Sequence, residues 1–123
     1  MSKKILIVDD EPNIVISLDF LMKREGFEVA VAADGDEALA QVAAFQPDLV
    51  LLDVMMPKKS GFEVCEALRA DPEHAGLKIV MVTAKGRDTE VAKGMAIGAD
   101  AYITKPFATK ELVARVKTLL GIA

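Results

Sequence analysis

Five short apolar runs alternate with five longer stretches whose apolar residues recur at helical spacing. "KILIV" (4–8), "DLVLLD" (48–53), "KIVMVTA" (78–84) and "AYITK" (101–105) are nearly continuous, the pattern of strands covered on both faces. "FEVAVAA" (27–33) alternates instead, with Phe27, Val29, Val31 and Ala33 on one side, and predicts a half-exposed edge strand. The first helix is predicted from Pro12, suited to a first turn, to Gly26, suited to a helix end. Ile14, Val15, Leu18, Leu21 and Met22 form its apolar face. The second follows Asp34-Gly35 and turns Ala38, Leu39, Val42 and Ala43 inward. The third starts near Gly61-Phe62 and ends before Asp71-Pro72. The fourth spans about Asp88 to Ile97, with Gly94 inside it and Gly98 at its end. The fifth begins after Thr109, read as its N-cap, with Leu112, Val113, Val116, Leu119 and Leu120 inward.

Strand–helix pairs repeated five times imply parallel strands joined by right-handed crossovers. The predicted architecture is a doubly wound α/β sheet of five strands flanked by five helices. Its functional crevice is expected at the carboxyl ends of the strands.

Those ends carry a distinctive set of groups. The first strand delivers Asp9-Asp10 and then Glu11; the third delivers Asp53; the fourth, Thr83-Ala84; the fifth, Lys105-Pro106. If strands one, three, four and five are neighbours, carboxylates, a hydroxyl and an ammonium converge. Each signal has an ordinary alternative. Acids suit a helix N-terminus, threonine suits a strand, and a lysine suits the surface. Together they describe a chemical site. Crowded carboxylates repel one another, and a divalent cation relieves that repulsion. Mg²⁺ takes oxygen ligands and keeps several waters, so a few carboxylates suffice. With the metal and Lys105 screening its oxygens, a phosphoryl group could be accepted by Asp53 acting as a nucleophile, with Thr83 as a hydrogen-bond donor.

The quoted motifs "ILIVDDE", "LVLLDVMMPKKSGFEVC", "IVMVTA" and "GADAYITKPF" resemble the receiver domain of bacterial two-component response regulators, over essentially the whole chain. The resemblance implies a flavodoxin-like sheet of order 2-1-3-4-5 and one receiver domain over residues 1–123. It implies that Asp53 is the phosphoacceptor and that Asp10, Asp9, Asp53 and the Met55 backbone carbonyl hold Mg²⁺. Thr83 and Lys105 match the phosphate-contacting pair, and Thr83 with Tyr102 the switch. Lys105-Pro106 matches the family's Lys-Pro, a candidate cis peptide. The implied partners are a sensor histidine kinase or phosphotransfer protein and an unidentified downstream protein. The implied chain is not a dedicated enzyme, though it assists its own phosphotransfer and dephosphorylation. Both chemotaxis-type and DNA-binding-regulator receivers fit. Met1 fits a start and "LLGIA" an end, but a tightly cut domain would read the same way.

Departures from the family pattern are specific. Ser60-Gly61 stands where Asp-Gly is frequent, and Lys58-Lys59 adds a basic pair read as a solvated loop. Ala101 replaces a second Asp of many DNA-binding regulators, while Lys93, Glu111 and Arg115 resemble other charged contacts of their dimer. A monomer, or a weak dimer through helix four, strand five and helix five, is expected.

Composition removes other classes. With 123 residues and 52% hydrophobic, the chain can build a core. One cysteine, Cys65, excludes an internal disulfide and a cysteine-based zinc site; it is read as core, and His74, the sole histidine, as a loop residue. A net charge of −4 argues against a nucleic-acid-binding surface, so no direct nucleic-acid partner is expected. The apolar run at the N-terminus is too short for a signal peptide or membrane span, and a soluble cytoplasmic location is expected. A phosphatase of the haloacid-dehalogenase type would need a second acid two residues after its nucleophile, where this chain has Met55. A flavin carrier of the same fold would need a Ser/Thr/Gly-rich loop after strand one, where "DDEPNI" offers acids.

Overall fold

The computed structural model describes residues 2–56, 58–84 and 88–122; the side chains of residues 83–84, 88–91 and 94 lie outside the described set. In chain order the elements are β1 (Lys4–Val8), α1 (Pro12–Arg24), β2 (Glu28–Ala32), α2 (Gly35–Phe45), β3 (Leu49–Asp53), α3 (Gly61–Ala70), β4 (Lys78–Ala84), α4 (Asp88–Ile97), β5 (Ala101–Lys105) and α5 (Thr109–Leu120). The five strands form one parallel sheet in the order β2-β1-β3-β4-β5.

The side-chain alternation of the strands divides the core into two layers. Leu6, Val8, Val50, Leu52, Ile79 and Met81 face Val42, Val64, Cys65 and Leu68 of α2 and α3. Ile5, Ile7, Leu49, Leu51, Val80 and Ile103 face Leu18, Leu21 and Met22 of α1 and Leu112 and Val116 of α5. Both faces are covered, so the inner strands can be apolar at nearly every position. β2 sits at the edge, as its alternation predicts, but Ala30 and Ala32 also pack inward on the α2–α3 side. Alanine is small enough to lie under a helix without making the run look continuous.

Local chemistry sets the helix ends. The Asp34 carboxylate accepts from Glu37 N–H at 2.8 Å and caps α2. The Ser60 hydroxyl accepts from Glu63 N–H at 3.2 Å, so Ser60 caps α3. Three features differ from the sequence-based expectation. Thr109 is the first residue of α5, not its cap; Ala108 takes that position with no side-chain bond, its carbonyl accepting from Leu112 N–H at 3.0 Å. Ala43 faces solvent, because α2 buries only a narrow stripe through Ala38 and Val42. His74 ends a short 3₁₀ turn, Pro72–His74, that follows α3. Lys105–Pro106 is cis, in line with the motif.

One polar junction lies at the end of the sheet away from Asp53. The Arg69 guanidinium, on α3, donates to the carbonyls of Gly98 (2.8 Å) and Leu77 (2.7 Å), and more loosely to that of His74 (3.3 Å). It also donates to the Asp100 carboxylate at 2.6 Å, which accepts from Ile79 N–H at 2.7 Å. α3, the turn after α4 and the start of β4 thereby meet on one side chain.

Candidate functional site

β1 and β3 are adjacent, and both end at the same edge of the sheet. That adjacency turns acids 44 positions apart in sequence, Asp9 and Asp53, into neighbours. Among the described residues they are the two charged side chains that the fold buries, 3% and 6% exposed. With the exposed Asp10 they form a group whose carboxylate oxygens all lie within 4.8 Å of one another. Burying carboxylates side by side is unfavourable for the charged forms.

β5 supplies part of the compensation. Lys105 Nζ lies 3.0 Å from Asp9 Oδ2, 3.4 Å from Glu11 Oε1 and 3.5 Å from Asp53 Oδ1. Asp9 Oδ1 also accepts from Glu11 N–H at 2.9 Å, which fixes the turn into α1. Burial, and then the charge of Asp9, push the Asp53 carboxyl from its ordinary 3.8 up to about 6, against the pull of Lys105. Burial works to lower the Lys105 ammonium, but its bond to Asp9 and the fields of Asp53 and Asp9 outweigh that and raise it. One ammonium shared among three acids does not neutralise them. The donor set is all oxygen, it is crowded, and it carries excess negative charge. These features fit a hard divalent cation such as Mg²⁺.

The raised Asp53 pKa has a consequence for stability. Below about pH 4 the carboxyl is protonated whether the chain is folded or not, and its burial carries no charge penalty. As pH rises through about 6 the folded state must ionise it, and that stability is lost. Asp53→Asn carries no such charge. Without divalent cation it is expected to be more stable than the wild type at pH 7.5, by about 1–2 kcal/mol after discounting for screening by water. The gap should close below pH 4. Urea unfolding at the two pH values tests this, and a less stable Asp53→Asn at pH 7.5 would contradict it.

Met55 lies two residues past Asp53 in the loop between β3 and α3, with its side chain 61% exposed. Met56, the next residue, is half-buried against the α2–α3 core layer. Thr83 is in β4, in register with Thr104 of β5; its side chain lies outside the described residues. Tyr102 is in register with Met81, two residues before Thr83, and is half-buried against the α2–α3 layer. The Lys58-Lys59 loop is not simply solvated. Lys58 pairs with Asp34 (3.6 Å) and Lys59 with Asp36 (4.0 Å). Lys93 lies over the Phe62 ring, 4.6 Å from its centroid, so α4 touches α3 there.

The chain as a whole matches a known family. The family profile described as "Response regulator receiver domain" matches residues 5–117. The chain belongs to the response-regulator receiver family. Among curated relatives, it is 48% identical over 120 residues to the DNA-binding response regulator MtrA of Mycolicibacterium smegmatis. It is 47% identical over 120 residues to the alkaline phosphatase synthesis transcriptional regulatory protein PhoP of Bacillus subtilis. These matches cover 98% of this chain but 51% and 49% of the relatives, so the receiver chain spans about half the length of the curated proteins it matches. Among solved structures, the CheY-like response regulator receiver domain protein of Methanospirillum hungatei superposes with a TM-score of 0.91 at 34% identity, covering 98% of this chain and 95% of that one.

These relatives correct one expectation. A net charge of −4 points away from a nucleic-acid partner, whereas MtrA is a DNA-binding response regulator and PhoP a transcriptional regulatory protein. Charge describes only the surface of these 123 residues and says nothing of what a receiver is joined to. Among the described residues no helix is long and apolar enough to cross a membrane.

Proposed function

We propose that this receiver is a phosphorylation switch in which Asp53 accepts a phosphoryl group from a phosphohistidine on a sensor kinase or phosphotransfer protein. The observation that supports it is the acid triad of Asp9, Asp10 and Asp53 with Lys105 reaching two of its members. In this reading Asp9, Asp10, Asp53 and the Met55 carbonyl hold Mg²⁺, which when bound neutralises the carboxylates and the oxygens of the incoming group. A carboxylate oxygen of Asp53 attacks phosphorus, a P–O bond forms, and the N–P bond to the donor imidazole breaks. Lys105 and Thr83 hold the phosphoryl oxygens, and the donor ring leaves as neutral imidazole because its other nitrogen carries the proton, so no group on this chain supplies one. Hydrolysis reverses the state: water attacks phosphorus and the Asp53 carboxylate leaves. The chain therefore acts on its own phosphate and not on a released substrate. The names of MtrA and PhoP favour control of DNA binding as the output of such a switch.

The proposed path of the signal runs from Asp53 through Thr83 to Tyr102 and the face built by α4, β5 and α5. Phosphate at Asp53 draws the Thr83 hydroxyl toward it, and Tyr102 moves deeper into the layer against which it already packs. The phosphate supplies the differential contact that a population shift requires. Amide NMR spectra with and without beryllofluoride and Mg²⁺ test it. Shift changes are expected to extend from the strand ends to Val91, Tyr102 and Leu112, and Thr83→Ala should confine them to the site. Changes that never leave the strand ends in the wild type would remove the switch.

A further inference from the structure

The segment that follows Asp53 is held at two points by glycines. At its base, Gly61 N–H donates to the Val54 carbonyl at 2.8 Å, and a Cβ on Gly61 would collide with the Asp53 carbonyl oxygen and come within 2.9 Å of Val54 Cα. At its far side it rests on the start of α2. A Cβ on Gly35 would overlap Lys59 Cβ and lie 2.6 Å from Lys59 O and 3.0 Å from Lys59 Cα. Two of those three atoms are backbone, so rotating the lysine side chain gives no relief. The ion pairs Lys58–Asp34 and Lys59–Asp36 bracket the same glycine. Lys58 also takes a left-handed backbone, φ 67°, which a residue other than glycine seldom adopts. The ion pairs are solvent-exposed, and each is worth little alone. What lets the loop seat where it does is the missing side chain at Gly35.

We infer that Gly35, on α2 and outside the acid triad, is a positioning residue for the chemistry at Asp53: its close approach to Lys59 fixes the course of the loop that carries Met55 past the carboxylates. This rests on the reading of Met55 and the three aspartates as the metal-holding set. A side chain at Gly35 forces the loop off α2 and weakens metal binding while every metal-holding residue is kept. The loop is a supporting layer of the site in the sense that applies to the outer groups of metal centres.

Mg²⁺ affinity, measured by calorimetry on the whole chain, tests the inference independently of phosphorylation. Gly35→Ala is expected to bind Mg²⁺ about tenfold more weakly than the wild type. Gly76→Ala, at a glycine with open space around its Cα, is the matched control and should bind as the wild type does. A purely structural role for Gly35 would lower the urea midpoint and leave Mg²⁺ affinity at the wild-type value, and that result overturns the inference. If Gly35→Ala does not fold, Lys59→Gly decides the matter. It removes the facing Cβ, loosens the loop, and is expected to weaken Mg²⁺ roughly threefold through added backbone freedom. Unchanged affinity in Lys59→Gly would then overturn the inference. A wild type that binds no Mg²⁺ would instead overturn the reading of the site, and this inference with it.

Discussion

Arg69→Ala is expected to destabilise the fold by about 2–4 kcal/mol, a large share of the stability of a domain of this size. The substitution removes the bond to Asp100 and leaves the carbonyls of Gly98 and Leu77 without their donor. Asp100 keeps only its bond from Ile79 N–H among the contacts described, and it remains a partly buried charge without its cation. Removing one partner of such a pair costs more than the pair contributes, because the remaining group stays desolvated. Gly98 adds to the effect. Its φ is +123°, and a Cβ there would lie 3.0 Å from Arg69 Cγ, so the turn after α4 is shaped to the arginine stem. Arg69→Lys keeps the charge but cannot reach several carbonyls and the carboxylate at once, and should lose more than half of the same amount. Urea denaturation measures both. An Arg69→Ala midpoint indistinguishable from wild type would mean that the junction is ornamental.

Lys105→Ala carries the largest expected effect on chemistry among variants that leave Asp53 intact. Its ammonium is the one cation the structure places against both buried acids among the described residues. In the phosphorylated state it would face the oxygens of the transferred group. Loss of one such preorganised donor typically slows a reaction by about 10²–10³-fold. Phosphorylation by acetyl phosphate at saturating Mg²⁺ should slow by about that factor. The comparison at saturating Mg²⁺ matters, because removing the ammonium also leaves the acids more negative and should not weaken the metal. A Lys105→Ala protein phosphorylated at the wild-type rate would take Lys105 out of the site's chemistry.

The extent to which the fold and site were legible in the sequence follows from what each signal depends on. β1, β4 and β5 have the predicted bounds because each apolar run closes on a specific polar signal: Asp9 just after β1, Thr83-Ala84 at the end of β4 and Lys105-Pro106 at the end of β5. α3 and α4 have theirs because Ser60-Gly61 and Gly98 are chemically specific punctuation. The acids were legible as strand-end groups, and the order implied by the receiver resemblance, which the sheet has, is what makes those ends adjoin. The Arg69 junction was not, since three of its partners are backbone carbonyls, which leave no mark in a sequence. The seat of Lys59 on Gly35 is a matter of distance between loops, and Asp34-Gly35 alone reads as an ordinary helix start. Glu11 was visible as a third acid after β1, but its reach to Lys105 depends on the turn that the Asp9 carboxylate fixes. Thr109 was misplaced because a threonine before an apolar face suits a cap, while the backbone had already begun its first turn at that residue.

Intact-mass analysis after incubation with acetyl phosphate decides whether Asp53 is a Mg²⁺-dependent phosphoacceptor. With Mg²⁺ the wild-type chain is expected to gain the mass of one phosphoryl group, to lose that gain when a chelator is present from the start, and to show none in Asp53→Asn. Uptake by Asp53→Asn equal to that of the wild type, or uptake indifferent to the removal of Mg²⁺, would contradict the claim.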